Sequence, residues 1–498
     1  LSIFQYFIIF TYSIMSIFSS SVKSHILDPV FHSENRCEFR LANRGESYMP
    51  TIRLGNIGLT KDANNNNLYH FGAGVASVIS RIRLMDGNEE LDSLRHAAQW
   101  LTFKGLQKTN SENVNVMSSL TGGSIGWSAG ASGELLSMEE KVIRSEGHES
   151  TLGSINLRDV FGFLNSVSHL STKLFKNLRV VIEYHPNSKP ELLVNNVSQV
   201  AGLKKSVPIL MVDEIIDDSL AATLDKQLQS ASWVSVEVDR ATIPQVPGIT
   251  AAGAVADEKE QRSSLRINGF QNKAVSRVMV AKTFQDADAY KYVASVGGDT
   301  KIKGLAGYGS RAQHKERFNM RVNGRNLLAG DGLTSPAQMA MMLSDVWGEL
   351  NMCPGQNTES VGLDTKYDLT VADPVTATIV GHAPYNWVGE NLSEPPVLSK
   401  SGVLNGAATA WATPPTAQQG FWVGNSSFIG IPVHDRVTDM QIDLVRTGTP
   451  SSATTGAAAF DAGTTSSAGN YLPLNIDVFA EISKRMDVMN GSYKISYA

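Results

Sequence analysis

The chain has 498 residues, 42% hydrophobic and 18% charged, with a formal net charge of −5. That length exceeds one ordinary core, so two or more domains are expected. The acidic balance, with no dense Lys/Arg run, argues against a protein that coats nucleic acid; two cysteines, Cys37 and Cys353, are too few for a disulfide framework and fit a reducing compartment during folding.

Residues 1–18 carry no charge and are rich in Ile, Phe and Tyr. Read literally they are a signal-peptide core or a marginal membrane span. No Met opens them and no positive region precedes them, whereas Met15 begins a serviceable soluble start, so residues 1–14 are read as upstream translated sequence.

Strands are expected at 36–41, 48–54 and 74–84, the last with Ala76, Val78, Ile82 and Leu84 on one face and Arg81 and Arg83 on the other. A Gly/Ser-rich loop spans 121–133. Leu157, Val160, Phe161 and Leu164 are spaced as a short helix behind the N-cap Asn156. Buried or half-buried strands follow at 178–184, 208–214 and 233–238, and residues 244–262 read as a domain connection.

The second half opens with strands at 264–267 and 274–282. Its clearest helix starts at Ser335 as N-cap with Pro336 at the first helical position. Met339, Met342, Leu343, Val346, Trp347 and Leu350 then form one apolar stripe, read as core packing. Residues 384–420 and 447–470, poor in charge and rich in Gly, Ala, Ser, Thr and Pro, are long loops between strands that pack on something.

The C-terminal region is the most explicit. Met440, Ile442 and Leu444 alternate with Asp439, Gln441 and Asp443; Leu474, Ile476, Val478, Ala480 and Ile482 then alternate with mainly polar residues that include Asn475, Asp477, Glu481 and Ser483. Asn490-Gly491 reverses the chain into Tyr493, Ile495 and Tyr497, the pattern of an antiparallel hairpin whose turn tolerates positive φ. Many short strands with Gly/Pro turns in both halves point to sandwiches or barrels.

Chemistry is sparse. Gly122-Gly123-Ser124-Ile125-Gly126 fits a hydrolase nucleophile pattern, with Asp159 and His185 downstream, but it lies in a loop of a β-rich half and is read as loop glycine. Cys37 with His32 is too thin for a metal site, Cys353 sits just before Pro354, and no phosphate-binding glycine loop exists. Glu139-Glu140 and the run Asp213, Glu214, Asp217, Asp218 are read as solvated charge, with a cation at a subunit contact as the alternative. Asn196, Asn391, Asn425 and Asn490 begin N-x-[ST] sequons. No catalytic, cofactor-binding or metal-binding residue is assigned, and no cofactor is expected.

Several stretches together resemble the double jelly-roll major capsid proteins of polinton-like viruses, virophages and adintoviruses. They are SVISRIRLMDGNEELDSLR (77–95), INLRDVFGFLNSVSHL (155–170), NLRVVIEYH (177–185), NKAVSRVMVAK (272–282), LLAGDGLTSPAQMAMMLSDVWGELN (327–351), FIGIPVHDRVTDMQIDLVRTG (428–448) and LPLNIDVFAEISKRMDVMNGSYKISY (472–497). The resemblance implies a mainly β fold of two tandem eight-stranded antiparallel jelly rolls with short helices in the inter-strand loops. The divisions expected are an N-terminal extension at 1–25, a first roll at 26–243, a linker at 244–262 and a second roll at 263–498. It further implies a non-enzymatic homotrimer, a pseudo-hexagonal capsomer of an icosahedral shell around double-stranded DNA, located in the virion and assembled inside the infected host cell. The partners implied are neighbouring capsomers, penton proteins and minor capsid or cement proteins, with no direct sequence-specific nucleic-acid binding and no small-molecule substrate. The rival readings are a secreted jelly-roll carbohydrate-binding protein or glycoside-active enzyme, which needs exposed aromatic platforms, and a serine esterase using Ser124.

Overall fold

The computed structural model describes residues 21–41, 47–60, 68–69, 74–108, 127–129, 135–137, 152–185, 193–196, 204–227, 230–243, 259–284, 291–294, 298–302, 315–334, 336–348, 370–373, 378–380, 428–448, 474–489 and 491–497. Among them the protein is antiparallel β throughout, with few helices.

In the first half the longer elements are β1 (Val22–Leu27), β2 (Arg36–Arg40), β3 (Arg53–Thr60), β4 (Ile79–Asp86), β5 (Glu89–Arg95), the helix α1 (Ala97–Lys108), β6 (Leu152–Asn156), β7 (Leu178–Tyr184), β8 (Ile209–Ile215) and the helix α2 (Asp218–Gln227). They form two sheets. One has seven strands, with β6, β3, β8 and β1 joined by three two-residue strands; the other has five, running Phe31–His32, β2, β7, β4, β5. Period-two patterning explains the facing cores: on β7, Leu178, Val180, Ile182 and Tyr184 are buried while Arg179 and Glu183 are half-buried.

The second half contains β9 (Ser230–Ile243), β10 (Lys259–Ile267), β11 (Ala274–Phe284), β12 (Lys315–Val322), β13 (Arg325–Asn326), the helix α3 (Pro336–Trp347), β14 (Phe428–Arg436), β15 (Met440–Gly448), β16 (Leu474–Met489) and β17 (Ser492–Tyr497). One sheet runs β9-β16-β11-β14, with β17 on the far end of β16; the other runs β10-β15-β12-β13. Along the chain β9, β10, β11, β12, then β14, β15 and β16, alternate between the two sheets, which is the winding of a jelly roll. A smaller four-stranded sheet joins the halves by pairing Leu193–Asn196 with Gly298–Ile302.

Several expectations shift. The strand expected at 74–84 is a 3-10 turn over Gly74–Val78 followed by β4, because Gly74 takes φ +52° and breaks the extended chain. The helix expected from Asn156 is two short turns, Leu157–Asp159 and Phe163–Ser166; Asn156 does cap the first, accepting from the Arg158 N–H at 3.1 Å. Between them a Cβ on Gly162 would lie 1.8 Å from the Val234 carbonyl oxygen, so the chain bends to press its backbone against β9. Strand β9 starts at Ser230 and pairs along all fourteen residues with β16, although sequence analysis placed it in the first roll. Likewise β10 begins at Lys259, inside the expected linker, and β1 begins at Val22, inside the expected N-terminal extension.

Candidate functional site

The feature that organises this molecule is the seam between its halves. The middle of the sheet β9-β16-β11-β14 is buried on both faces. Leu474, Ile476, Val478, Ala480 and Ile482 of β16 face the second core. On its other face Phe479 belongs to the core of the first half, joined there by Met279, Ala281, Leu343, Trp347 and Phe428, and Met486 reaches the same core farther along the strand. Asn475 and Asp477, polar residues on that second face, are also buried, at 8% and 0% exposure.

Helix α1 supplies the cover. Trp100 and Phe103 lie one turn apart on it, so both project on one side. Trp100 stacks on Phe479 at 5.8 Å and meets Trp347 edge-on at 5.6 Å. Phe103 contacts Trp347 at 5.3 Å and Phe428 at 5.6 Å. The indole N–H groups are satisfied within the protein: Trp100 donates to the Asp159 carbonyl at 2.8 Å and Trp347 to the Val278 carbonyl at 3.2 Å. Gly430 makes room for this cluster, since a Cβ there would sit 2.9 Å from both the Leu343 Cα and the Trp347 ring.

Two polar networks fix the register. The Asp477 carboxylate accepts from Arg240 Nε at 2.5 Å and Nη2 at 2.9 Å, from Gln99 Nε2 at 3.5 Å, and lies 3.9 Å from His96 Nε2. Thus α1 and the residue before it reach a charge buried between β9 and β16, one that would be prohibitive unpaired. Asp92 of β5 accepts from Ser235 Oγ on β9 at 2.6 Å, the Ser93 N–H at 3.0 Å and the Phe163 N–H at 3.1 Å. Complete burial pushes its carboxyl up to about 6, against the pull of Lys484 and those three donors. At the far end Tyr493 of β17 packs on Phe175 at 5.2 Å and donates to Asp86 at 2.9 Å.

A cleft of about 560 Å³ opens along this seam, lined by α1, the two turns at 157–166, β9 and β16. Its charged lining is Lys104, Lys108, Arg158, Lys484, Asp159 and Glu481. Lys104 lies over the rings of Trp100, Phe103 and Trp347 at 5.0, 5.8 and 5.9 Å, and burial holds its ammonium below the ordinary lysine value.

No family model and no curated protein matches the chain. Solved structures do. VP54 of PBCV-1, in a crystal structure fitted into a cryo-EM reconstruction of the virophage Sputnik, aligns over 96% of this chain and 97% of its own, with TM-score 0.51 and 12% identity. The mavirus major capsid protein aligns over 96% and 90%, with TM-score 0.50 and 11% identity. The fold is the double jelly roll of major capsid proteins.

On the double jelly roll the residues singled out from sequence scatter. Asp159 pairs with Lys108, and the His185 carbonyl accepts from Lys205 at 2.9 Å. Ser124, Glu139-Glu140, Cys353, Met15, Asn391, Asn425 and Asn490, together with most of the two long loops, lie outside the described residues. Asn196 ends a strand of the small four-stranded antiparallel sheet. Cys37 is fully buried beside Tyr184, and burial pushes its thiol up to about 12. The acidic run is divided among structural duties: Asp213 accepts from Ser24 and Thr51, Glu214 pairs with His25 at 2.6 Å, and Asp217 caps α2 through the Ser219 and Leu220 N–H groups. No group of three or more His, Cys, Asp or Glu converges among the described residues. Trp100, Trp233 and Trp347 are 2%, 4% and 6% exposed, so these indoles are packing elements and not platforms for a sugar ring.

Sequence reasoning missed α1, α2 and the whole seam. The pair Trp100 and Phe103 was the available signal for α1, weakened by Gly105 in the helix and by the absence of an acidic residue in its first turn.

Proposed function

We propose that this chain is a major capsid protein that acts by self-assembly and carries out no chemistry. Three copies would make a trimer of six barrels, a pseudo-hexagonal tile for the icosahedral shell of a small eukaryotic double-stranded DNA virus akin to polinton-like viruses, virophages and adintoviruses. The observation that carries the reading is the doubly buried sheet: it joins two rolls into one rigid block, and a tile needs fixed geometry between its barrels. The likeness in fold to VP54 of PBCV-1 and to the mavirus major capsid protein supports it.

In this reading the first roll runs from β1 to β8, α2 is the connection, and the second roll begins at Ser230 with β9. Lateral contacts between tiles are individually weak and collectively strong, which lets misplaced copies dissociate. The net charge of −5 is consistent with a genome held by other internal components. Size-exclusion chromatography with light scattering tests the proposal. A particle of three times 53.8 kDa whose density map shows six upright barrels is expected; a monomer at assembly concentrations overturns it.

A further inference from the structure

The seam cleft has a charge imbalance. Of its two carboxylates, Asp159 is already paired with Lys108, and Glu481 is held by Arg277 through Nε at 2.6 Å and Nη2 at 3.0 Å. Among its four cations, Lys484 is paired with Glu237 at 3.2 Å. That leaves Lys104 and Arg158. Among the described residues Lys104 donates to the Gln107 side chain at 3.0 Å and feels Glu481 and Asp159 only through space, and Arg158 has no carboxylate partner, with its Nε buried and unsatisfied. A second donor in the same lining, Nε1 of Trp233, is also buried without a partner among the described residues, on a side chain 4% exposed. Among the described residues both carboxylates of the cleft are therefore already paired, while donors are left over, in a molecule that is acidic as a whole.

We propose that this cleft binds an acidic peptide segment of a partner protein, its carboxylates received by Lys104 and Arg158 and its apolar residues by the walls around Trp233 and Val234. The inference rests on the capsid reading only for the partner's identity as another shell component. An extended peptide suits the layout better than a single small anion. The unmatched cations stand on different walls, one on α1 and one on the turn at Leu157–Asp159. The same lining holds the 42% exposed Val234 beside the buried Val160 and Val236, and that exposed apolar surface is left wet by a bare anion. The cleft volume falls within the range of about 300–1,000 Å³ usual for ligand sites.

The test is fluorescence anisotropy on the full-length protein with a labelled peptide of three Glu-Leu repeats, and with the same peptide in Gln-Leu form. The Glu peptide is expected to bind and the Gln peptide to bind at least about tenfold more weakly, since charge-assisted hydrogen bonds are lost. Arg158→Ala and Arg158→Gln should each weaken the Glu peptide by about tenfold or more, Lys104→Met similarly, and Arg325→Ala, at an exposed site on β13, should leave binding unchanged. Equal binding of the two peptides, no binding, or indifference to both Arg158 variants while the thermal midpoint is unchanged overturns the proposal. Displacement by inorganic phosphate at equal or lower concentration than by unlabelled peptide also overturns it, in favour of a small-anion site. Light scattering on the same samples separates the two readings: a trimer that ignores the peptide sinks the cleft alone, and a monomer that binds it sinks the shell alone.

Discussion

Asp92 shows how one side chain reports the seam. Its carboxyl titrates near 6 when folded, against 3.8 for the ordinary group, because burial disfavours the charge more than Lys484, Ser235 and two backbone N–H groups favour it. With the folded value raised, the stabilisation it contributes is fully present below about pH 4 and is lost as pH rises through about 6. A shift of that size corresponds to a swing on the order of 3 kcal/mol. Asp92→Asn keeps a neutral group but cannot accept from Phe163 and Ser235 with both termini, so its baseline should fall by about 1–2 kcal/mol. Urea midpoints measured from pH 4 to 8 should show the wild type losing stability with rising pH from this group and the variant without that slope. Equal slopes in the two proteins would rule the assignment out. Nothing in the sequence marks Asp92 as special: it sits in the acidic stretch Asp86, Glu89, Glu90, Asp92 of an ordinary hairpin, and it is enclosed by distant elements, β9 and the turn at Phe163, that bond to it.

At the scale of elements, β16 is the informative strand. Its alternation from Leu474 to Ile482 was legible, as was the hairpin through Asn490-Gly491, because period two and turn chemistry are local properties. The fate of its second face was not legible. A polar face normally meets water, and here Asp477 is enclosed by α1 and β9, elements far away in the chain. The same limit applies to β9, whose partner lies more than 200 residues on, so its pairing could not be read from the composition around it. The Arg240–Asp477 pair gives this a measurable consequence. Arg240→Met leaves a buried charge unpaired and should cost about 3–5 kcal/mol, whereas Arg240→Met with Asp477→Leu should recover most of that loss. Chemical denaturation of the two variants decides it; a double variant as unstable as the single one contradicts the account.

For the molecule as a whole, the seam makes the two rolls interdependent. Trp347, Phe428 and Phe479 belong to the second half but are buried among Trp100, Phe103 and their neighbours from the first. Expressed alone, residues 230–498 expose that aromatic face and should bind a hydrophobic dye and aggregate, while co-expression with residues 21–229 should restore a soluble complex. A well-behaved, dye-negative second half would show that the seam is ornamental. A sandwich or barrel in each half was readable from the number and spacing of strands, and the tandem jelly rolls from the resemblance of the ordered stretches; how the halves meet was not, because it rests on single aromatic and charged side chains spread over the whole length.

The pairing of β9 with β16 also bears on synthesis. Ile243 waits for Leu474, and at a ribosomal elongation rate of about 5–20 residues per second the delay is roughly 10–50 s. Throughout that interval a fourteen-residue strand has emerged while the neighbour that satisfies its backbone is still unmade. A nascent chain so disposed invites capture by its siblings on the same polysome, and shielding by a chaperone during translation is the matching requirement of this topology.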